Sequence, residues 1–414
     1  MPLLAAAVVV LVLVVLLVCV IGAQSSNQWG FELNRAATGP SELEPAWLQQ
    51  CTCRALLANF TRKREALQPV QLDLDEDLRL LFSHNNTLPV EKYVVDDTNK
   101  GKGTHYKFSK NSIDAMVASS RELLNGQPSK APMSLIQQWF IQAVQSHLVQ
   151  GSALAGGPKR AVVWGATSPW YETMLLAAGV DSVTTIEYNK LTFDHPNLTT
   201  LQPHEVGLPP GNDVEAGALK RKWPKFDLAV STSSFDHDGL GRYGDPTDPF
   251  GDLKAMRIAR CLLKPGGLML FAIPVGPDVT VYNLHRRYSG VCVCVRMCLF
   301  VASHTFFPFD HKHTQPHTNT RKHTHPQTHR MQCPCASCCC YSTTCRYGEQ
   351  RLPAMLRGWE VVDIVGWDVA RLVLPEDFRR SYEPIFVLRR PIAGNQRETG
   401  AGSKPEATQA HAEL

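Results

Sequence analysis

The segment between residues 160 and 273 constrains the fold most strongly, because short apolar runs alternate there with segments of helical spacing. The runs are rich in Val, Ile, Leu and Ala, which is typical of strands buried on both faces. We predict strands at residues 160–164, 182–188, 226–231, 268–273, 359–365 and 384–388, and helices at 134–148, 172–178 and 252–262. This alternation predicts an α/β fold with a doubly wound, mostly parallel, Rossmann-like sheet and helices on both faces.

Ligands of such sheets bind at the carboxyl ends of the strands, where three residues stand out. Gly165 follows the first strand, and its lack of a Cβ would let the backbone approach a ligand. Glu187 ends the second strand, where a carboxylate can accept hydrogen bonds from both hydroxyls of a ribose. The alternative for Glu187 is a surface acid paired with Lys190. Ser233 lies just beyond the third strand. The absence of GxGxxG disfavours a sugar-nucleotide enzyme of the Rossmann type.

The stretch FDHDGLGRYGDP, which follows Ser233 and Ser234, holds the candidate catalytic residues. We predict His237 as a general base whose imidazole is oriented by Asp236 or Asp238, so that a substrate hydroxyl loses its proton. The alternative is that these three residues cap and order the glycine-rich loop.

Four further residues are candidates for substrate binding. Arg242 and Tyr243 lie in the same loop, and His285 and Arg286 belong to YNLHRRY, shortly after the strand at 268–273. We predict contacts with an anionic or sugar-like substrate, and simple packing is the alternative.

A glycine turn after the first strand, an acid ending the second and LLKPGGLMLFAIP in a later strand together resemble class I S-adenosylmethionine-dependent methyltransferases. Ala166, Thr167 and Ser168 stand where those enzymes have further glycines. Four stretches carry a more specific resemblance: SSFDHDGLGRYGDPTDPFGDLKAM, CLLKPGGLMLFAIPVGPD, YNLHRRY and RLPAMLRGWEVVD. They resemble an uncharacterised domain of unknown function, first defined on nematode proteins and placed among methyltransferase-like folds. The resemblance covers residues 130–290 and 346–390.

The resemblance implies S-adenosylmethionine as cofactor, held by Gly165, Thr167, Glu187 and Ser233. It implies methyl transfer. We expect a hydroxyl of a small molecule or glycan as the acceptor, and the glycan follows only from the predicted secretory compartment. A non-catalytic binding or scaffold protein on the same fold is the alternative, motivated by the altered glycine motif. An enzyme is expected to lose cofactor binding in Glu187→Ala, and to keep binding but lose turnover in His237→Ala.

The N-terminal residues 3–22 carry no charge and consist almost entirely of Leu, Val and Ala. About 20 such residues match the thickness of a bilayer core. They predict a signal anchor or a cleaved signal peptide, and so a secretory protein that is single-pass in the endoplasmic reticulum or Golgi membrane, or is secreted. Sequons at Asn59, Asn85 and Asn197 would be glycosylated on that route, although such triplets also occur by chance.

Cysteine and histidine are concentrated in residues 291–345, which contain nine of the 13 cysteines and seven of the 15 histidines. A zinc module needs paired ligands and a small apolar core, and this segment lacks that periodicity, so no metal site is predicted. Cys51 and Cys53 lie too close together to bridge each other comfortably, so an oxidising compartment would leave each to find another partner.

Residues 291–345 also read like translated repeats. Alternating Val-Cys is what GTGTGT encodes, and alternating His-Thr is what CACACA encodes. Joining Tyr288 directly to residue 348 gives the continuous sequence HRRYGEQRLP. We hypothesise a retained intron or a gene-model error. The alternative is a real metal-binding segment.

The five basic residues and one acid of this segment account for the whole formal net charge of +4. The rest of the chain is balanced, so nucleic acid is not predicted as a partner. The predicted organisation is a signal segment (1–24), a stem and lead-in region (25–130), a methyltransferase-like domain (131–290 and 346–392), the insert (291–345) and a disordered tail (393–414).

Overall fold

The computed structural model describes residue 33 and residues 43–62, 70–151, 159–207, 222–288, 351–368 and 382–392. Its helices are α1 (Ala46–Gln50), α2 (Cys53–Phe60), α3 (Glu76–Phe82), α4 (Lys110–Leu124), α5 (Leu135–Val144), α6 (Trp170–Ala177), α7 (Gly251–Leu262) and α8 (Arg351–Met355). Its strands are β1 (Val90–Lys92), β2 (His105–Phe108), β3 (Arg160–Trp164), β4 (Ser182–Ile186), β5 (Lys190–Phe193), β6 (Leu198–Leu201), β7 (Phe226–Thr232), β8 (Leu263–Ala272), β9 (Val279–Tyr282), β10 (His285–Arg287), β11 (Glu360–Val365) and β12 (Ile385–Arg389).

A seven-stranded sheet with the order β11-β12-β8-β7-β3-β4-β6 forms the centre of the fold. Strands β6, β4, β3, β7 and β8 are parallel, whereas β12 runs antiparallel to both β8 and β11. From β3 the chain winds outward through β4 and β6, and then returns to place β7 on the other side of β3. The switch in strand order therefore lies at β3, and the predicted doubly wound α/β sheet is confirmed.

Apolar side chains cover both faces of this sheet. Along β3, Val162 and Trp164 join the core on one face, and Ala161 and Val163 join the core on the other. Helix α7 packs on the first face, and helices α4, α5 and α6 pack on the second. Each strand is therefore buried on both sides, which is why its sequence reads as an apolar run.

The predicted central elements are confirmed to within a few residues, except that β8 begins five residues before the predicted strand. Helix α5 shows why its start is readable from the sequence. The Ser134 hydroxyl accepts a hydrogen bond from the Gln137 backbone N–H (3.3 Å), and the Gln137 side chain accepts one from the Ser134 N–H (2.9 Å). This reciprocal cap satisfies two backbone donors that a helix end leaves unpaired.

The region predicted as a stem and lead-in packs against the domain in its described part. Strand β1 pairs with β9, and β2 pairs with β5. A disulfide joins Cys53 in α2 to Cys261 in α7, and Cys51 is free. Glu44 forms an ion pair with Arg257 of α7. A disulfide of this kind typically contributes about 2–4 kcal/mol to stability.

The predicted single-pass membrane location is corrected by the structure. In the described part of the chain, no helix is both long enough and apolar enough to cross a bilayer. The apolar residues 3–22, which motivated that prediction, lie outside the described residues.

Residues 289–350, which include the predicted insert, also lie outside the described residues, and their two flanks meet at one carboxylate. The Tyr288 hydroxyl donates a hydrogen bond to Asp252 (2.9 Å), and Arg351 donates two to the same side chain (2.7 and 2.8 Å). A direct join through residues 348–350 spans up to about 13 Å when extended. The shared contact is compatible with such a short connection.

We expect the mature transcript to lack the codons for residues 289–347. The measurement is sequencing of full-length cDNA, with thermal unfolding of a variant that joins Tyr288 directly to Gly348. The variant should fold and show a Tm no lower than that of the full chain. A transcript population that always reads through codons 291–345 would contradict the hypothesis.

Candidate functional site

A cavity of about 800 Å³ opens at the carboxyl ends of three adjacent strands of the main sheet. Gly165 follows β3, Glu187 follows β4 and Ser233 follows β7, and all three line the cavity together with Thr167. Its size is in the usual range for small-molecule and cofactor sites. The structure thus brings all four predicted cofactor-binding residues together at the switch point of the sheet.

Gly165 is required by the turn that leaves β3. Its φ of +70° is one that residues with a side chain rarely adopt, and an added Cβ would lie 2.1 Å from the Ser234 hydroxyl oxygen. The glycine therefore lets the β3 turn and the β7 turn approach each other at the cavity. Ser233 has a positive φ of 48°, and its backbone N–H donates to the carbonyl of Ala272 (3.0 Å).

Glu187 lies on the cavity wall and is only 7% exposed. One carboxylate oxygen accepts hydrogen bonds from the backbone N–H (3.0 Å) and the side-chain amide (2.9 Å) of Asn189. Burial raises the pKa of Glu187, and the donors of Asn189 act against that rise. Sequence reasoning missed Asn189, which also lines the cavity.

Asp236 and His237 lie side by side, as predicted. The His237 Nε2 atom is 3.4 Å from a carboxylate oxygen of Asp236, and Nδ1 is 2.6 Å from the carbonyl oxygen of Leu284. Burial lowers the pKa of His237 to about 4 and raises that of Asp236 to about 7. The imidazole is therefore neutral near pH 7, and both of its nitrogens already face protein groups. His237 lines the cavity, whereas Asp236 is fully buried outside its lining.

Asp238 differs from its neighbours because it lines the cavity and its carboxylate has no hydrogen-bond partner among the described residues. Burial, followed by the nearby charge of Asp245, raises the pKa of Asp238 well above its usual range. Asp245 itself accepts hydrogen bonds from the backbone N–H groups of Gly239 (2.7 Å), Gly241 (3.2 Å) and Tyr243 (3.3 Å). It therefore holds the glycine-rich loop in shape beneath Asp238.

The four predicted substrate-binding residues separate in the structure, because only Tyr243 lines the cavity. Burial raises the pKa of Tyr243 to about 12. Arg242 donates to Asp97 (2.7 Å) and to the carbonyl of Leu284 (3.2 Å). His285 packs against His237, with ring centroids 6.4 Å apart, and burial lowers its pKa to about 4.

Arg286 is fully buried. Its guanidinium donates to the carbonyl oxygens of Asp238 (2.6 Å) and Asp248 (3.2 Å), and its Nε atom lies 3.9 Å from the Asp252 carboxylate. The described contacts of Arg286 thus hold the backbone beneath the cavity.

The outer wall of the cavity comes from the N-terminal region, which sequence reasoning assigned to the stem. Helix α2 contributes Asn59 and Phe60, and the chain leading into β2 contributes Asp97 and Asn99, with Tyr106 from β2 itself. Each reaches the site through contacts distant in sequence, which no local motif signals.

Acidic side chains outnumber basic ones in the lining of the cavity. Among the described lining residues there are six carboxylates and one ammonium group, that of Lys254, which pairs with Asp248. The carboxylates belong to Asp96, Asp97, Glu187, Asp238, Asp245 and Asp248. In the described ranges, no group of three or more His, Cys, Asp or Glu side chains is arranged to hold a metal ion.

The strand order and the position of the cavity define a class of protein. An antiparallel strand inserted between the last parallel strand and the sheet edge, with a cavity at the ends of β3, β4 and β7, gives the α/β fold of class I methyltransferases. Residues 158–333 match a family described as "Caenorhabditis protein of unknown function, DUF268". The resemblance seen in the sequence is thereby confirmed. No curated protein sequence matches the chain.

Solved structures of low sequence identity match parts of the chain. A Burkholderia thailandensis 1,6-didemethyltoxoflavin-N1-methyltransferase with bound S-adenosylhomocysteine is 11% identical, with a TM-score of 0.29 over 64% of this chain and 95% of that chain. An S-adenosylmethionine-dependent methyltransferase from Mesorhizobium loti is 13% identical, with a TM-score of 0.28 over 62% and 100%. The YcgJ protein of Bacillus subtilis is 13% identical, with a TM-score of 0.21. The match covers 34% of this chain and only 52% of the YcgJ chain.

Proposed function

We propose that this protein is an S-adenosylmethionine-dependent methyltransferase that acts on a hydroxyl acceptor. The observation that carries the proposal is the convergence of Gly165, Thr167, Glu187 and Ser233 on one cavity at the switch point of the sheet. Bound there, S-adenosylmethionine would supply a methyl group activated by a positively charged sulfur.

The residues present fit such a cofactor. An ionised carboxylate offers about four acceptor positions, so Glu187 retains capacity for ribose hydroxyls after its contacts with Asn189. The predominance of carboxylates over cations suits a ligand with a sulfonium and an ammonium group. Gly165 supplies the positive φ (+70°) of the turn after β3, although Ala166, Thr167 and Ser168 replace the further glycines of the usual motif.

Asp238 is the group we assign to removal of the acceptor proton. Asp238 lines the cavity and its carboxylate has no described hydrogen-bond partner, whereas both nitrogens of His237 already face Leu284 and Asp236. A carboxylate with a raised pKa is a stronger base than one in water, which suits proton abstraction near neutral pH. His237 and Asp236 then support the loop that presents Asp238.

The charge of the cavity also bears on the acceptor. A phosphorylated or carboxylated acceptor would meet mostly carboxylates, so a neutral hydroxylated molecule such as a glycan fits better. Amide and aromatic side chains on the outer wall, from Asn59, Phe60, Asn99 and Tyr106, offer hydrogen bonds and ring surface to such a molecule. The Cys53–Cys261 disulfide supports an oxidising compartment such as the secretory route, where glycans are modified.

We expect Glu187→Gln and Glu187→Ala to weaken S-adenosylhomocysteine binding by about 10- to 150-fold, because hydrogen bonds to a charged group contribute about 1.5–3 kcal/mol. Isothermal titration into the full chain measures this. The N-terminal region must be retained because it forms the outer wall. Glu360→Gln, an exposed residue on the edge strand β11, is the matched control and should bind like the native chain.

A non-catalytic binding or scaffold protein is the second candidate, and the replacement of motif glycines by Ala166, Thr167 and Ser168 favours it. The same titration separates the two. A folded native chain that binds neither S-adenosylmethionine nor S-adenosylhomocysteine would support the scaffold and exclude the enzyme.

A further inference from the structure

Asn189 connects two parts of the cavity that are distant in the sequence. It is only 7% exposed, and both its backbone N–H and its side-chain NH₂ donate to the same oxygen of Glu187. The side-chain carbonyl oxygen, on the other side of the amide, accepts a hydrogen bond from the backbone N–H of Thr104 (3.0 Å). The Asn189 side chain thus donates to Glu187 at the end of β4 and accepts from Thr104 in the N-terminal region.

The chain between Asp96 and Thr104 is held at its other end by the glycine-rich loop. Asp97 accepts a hydrogen bond from the Arg242 side chain (2.7 Å), and its backbone N–H donates to the Arg242 carbonyl (3.1 Å). Asp96, Asp97, Asn99 and Thr104 all line the cavity. This N-terminal loop, residues 96–104, is therefore fixed by Asn189 at one end and Arg242 at the other.

We propose that Asn189 is a positioning residue that orients Glu187 toward the cofactor ribose and links cofactor binding to the order of the N-terminal loop. This inference rests on the proposed function, in which Glu187 accepts hydrogen bonds from the ribose hydroxyls of the cofactor. It assigns the outer wall a part in cofactor binding through one amide, although that wall lies outside residues 158–333, which match the family.

The pH dependence of binding separates positioning from a merely structural role. Two titratable groups of the glycine-rich loop interact with Glu187. The charge of Asp245 acts on the pKa of Glu187, and the charge of Glu187 acts on the pKa of Tyr243. Burial raises the pKa of Glu187, Asn189 lowers it, and the charge of Asp245 raises it. Without the Asn189 amide the carboxyl stays protonated to higher pH, and a protonated carboxyl loses acceptor capacity for the ribose hydroxyls.

The test compares Asn189→Ala and Asn189→Asp in the full chain, with S-adenosylhomocysteine as the probe. We expect both variants to bind about 10-fold or more weakly near pH 7. Asn189→Ala should regain affinity as the pH rises and Glu187 ionises, whereas Asn189→Asp places a second carboxylate beside Glu187 and should not. Amide hydrogen exchange at Thr104 gives a second readout. Asn189→Ala should speed that exchange, whereas Asn189→Asp keeps the acceptor oxygen and should leave the amide protected.

Asn197→Ala is the matched control, because the Asn197 amide donates to the carbonyl of Asp181 (2.6 Å) and does not line the cavity. It should bind the probe like the native chain at every pH. Native-like affinity in Asn189→Ala, or a loss that is independent of pH, would overturn the inference alone. Absence of probe binding by the folded native chain would overturn the proposed function and this inference with it.

Discussion

Asp252→Asn is expected to lower the free energy of unfolding by about 3–5 kcal/mol, the usual cost of removing one partner from a buried ion pair. Asp252 is fully buried and lies against Arg351, Arg286 and Tyr288. Burial alone would raise its pKa, but the two guanidinium groups outweigh burial and hold the pKa at about 2. Replacement by a neutral amide leaves both arginines buried without their counter-charge.

Urea unfolding measures this loss, with Asp194→Asn, an exposed acid, as the matched control. Arg351→Gln and the double variant complete a mutant cycle, which stays informative even if one single variant folds poorly. We expect the double variant to be less destabilised than the sum of the two single changes. Additive effects would show that the pair makes no specific contribution.

The same carboxylate predicts how stability responds to acid. Its pKa in the folded chain lies below the value of about 3.9 expected in the unfolded chain. Its contribution is therefore complete above that value and is lost as pH falls toward 2, through the pKa of the folded state. Asp252→Asn should lack this part of the acid transition.

Asp238→Asn is expected to lower kcat by about 10²- to 10⁴-fold while leaving the affinity for S-adenosylhomocysteine within about threefold of the native value. The amide keeps the size of the side chain but cannot take a proton from the acceptor. Arg286 holds the backbone carbonyl of Asp238, so the loop should keep its position in the variant.

Release of S-adenosylhomocysteine in the presence of glycan and small hydroxylated acceptors measures this turnover. In the native protein kcat/KM should rise with pH through the raised pKa of Asp238, because only the ionised carboxylate acts as a base. Asp238→Asn should lose that pH dependence, and Asp194→Asn should retain it. Full turnover in Asp238→Asn would exclude Asp238 as the base and return that role to His237.

The central sheet was predictable because burial on both faces forces each strand to be apolar along its whole length, as in RAVVW and FDLAVS. The N-terminal region was not. Strand β1 is three residues long with a partly exposed pattern, and its partner β9 lies about 190 residues further along the chain. The partner of Cys53 is 208 residues away. Such pairings depend on tertiary contacts that no local pattern encodes.

The candidate site divides in the same way. Gly165, Glu187 and Ser233 were predictable because the ends of neighbouring parallel strands meet at one edge of the sheet. The placement of Arg286 was not, since a charged residue near a strand end gives no sign that its partners are carbonyl oxygens beneath the cavity. Asn189 follows Glu187 by two residues, but its bond to Thr104 spans 85 residues.

A crystal structure of the full chain with S-adenosylhomocysteine tests the central claim most directly. We expect the ligand to fill the cavity at the ends of β3, β4 and β7, with its ribose hydroxyls about 2.6–3.2 Å from the Glu187 carboxylate. A ligand bound elsewhere, or a ribose that leaves Glu187 without contact, would contradict it.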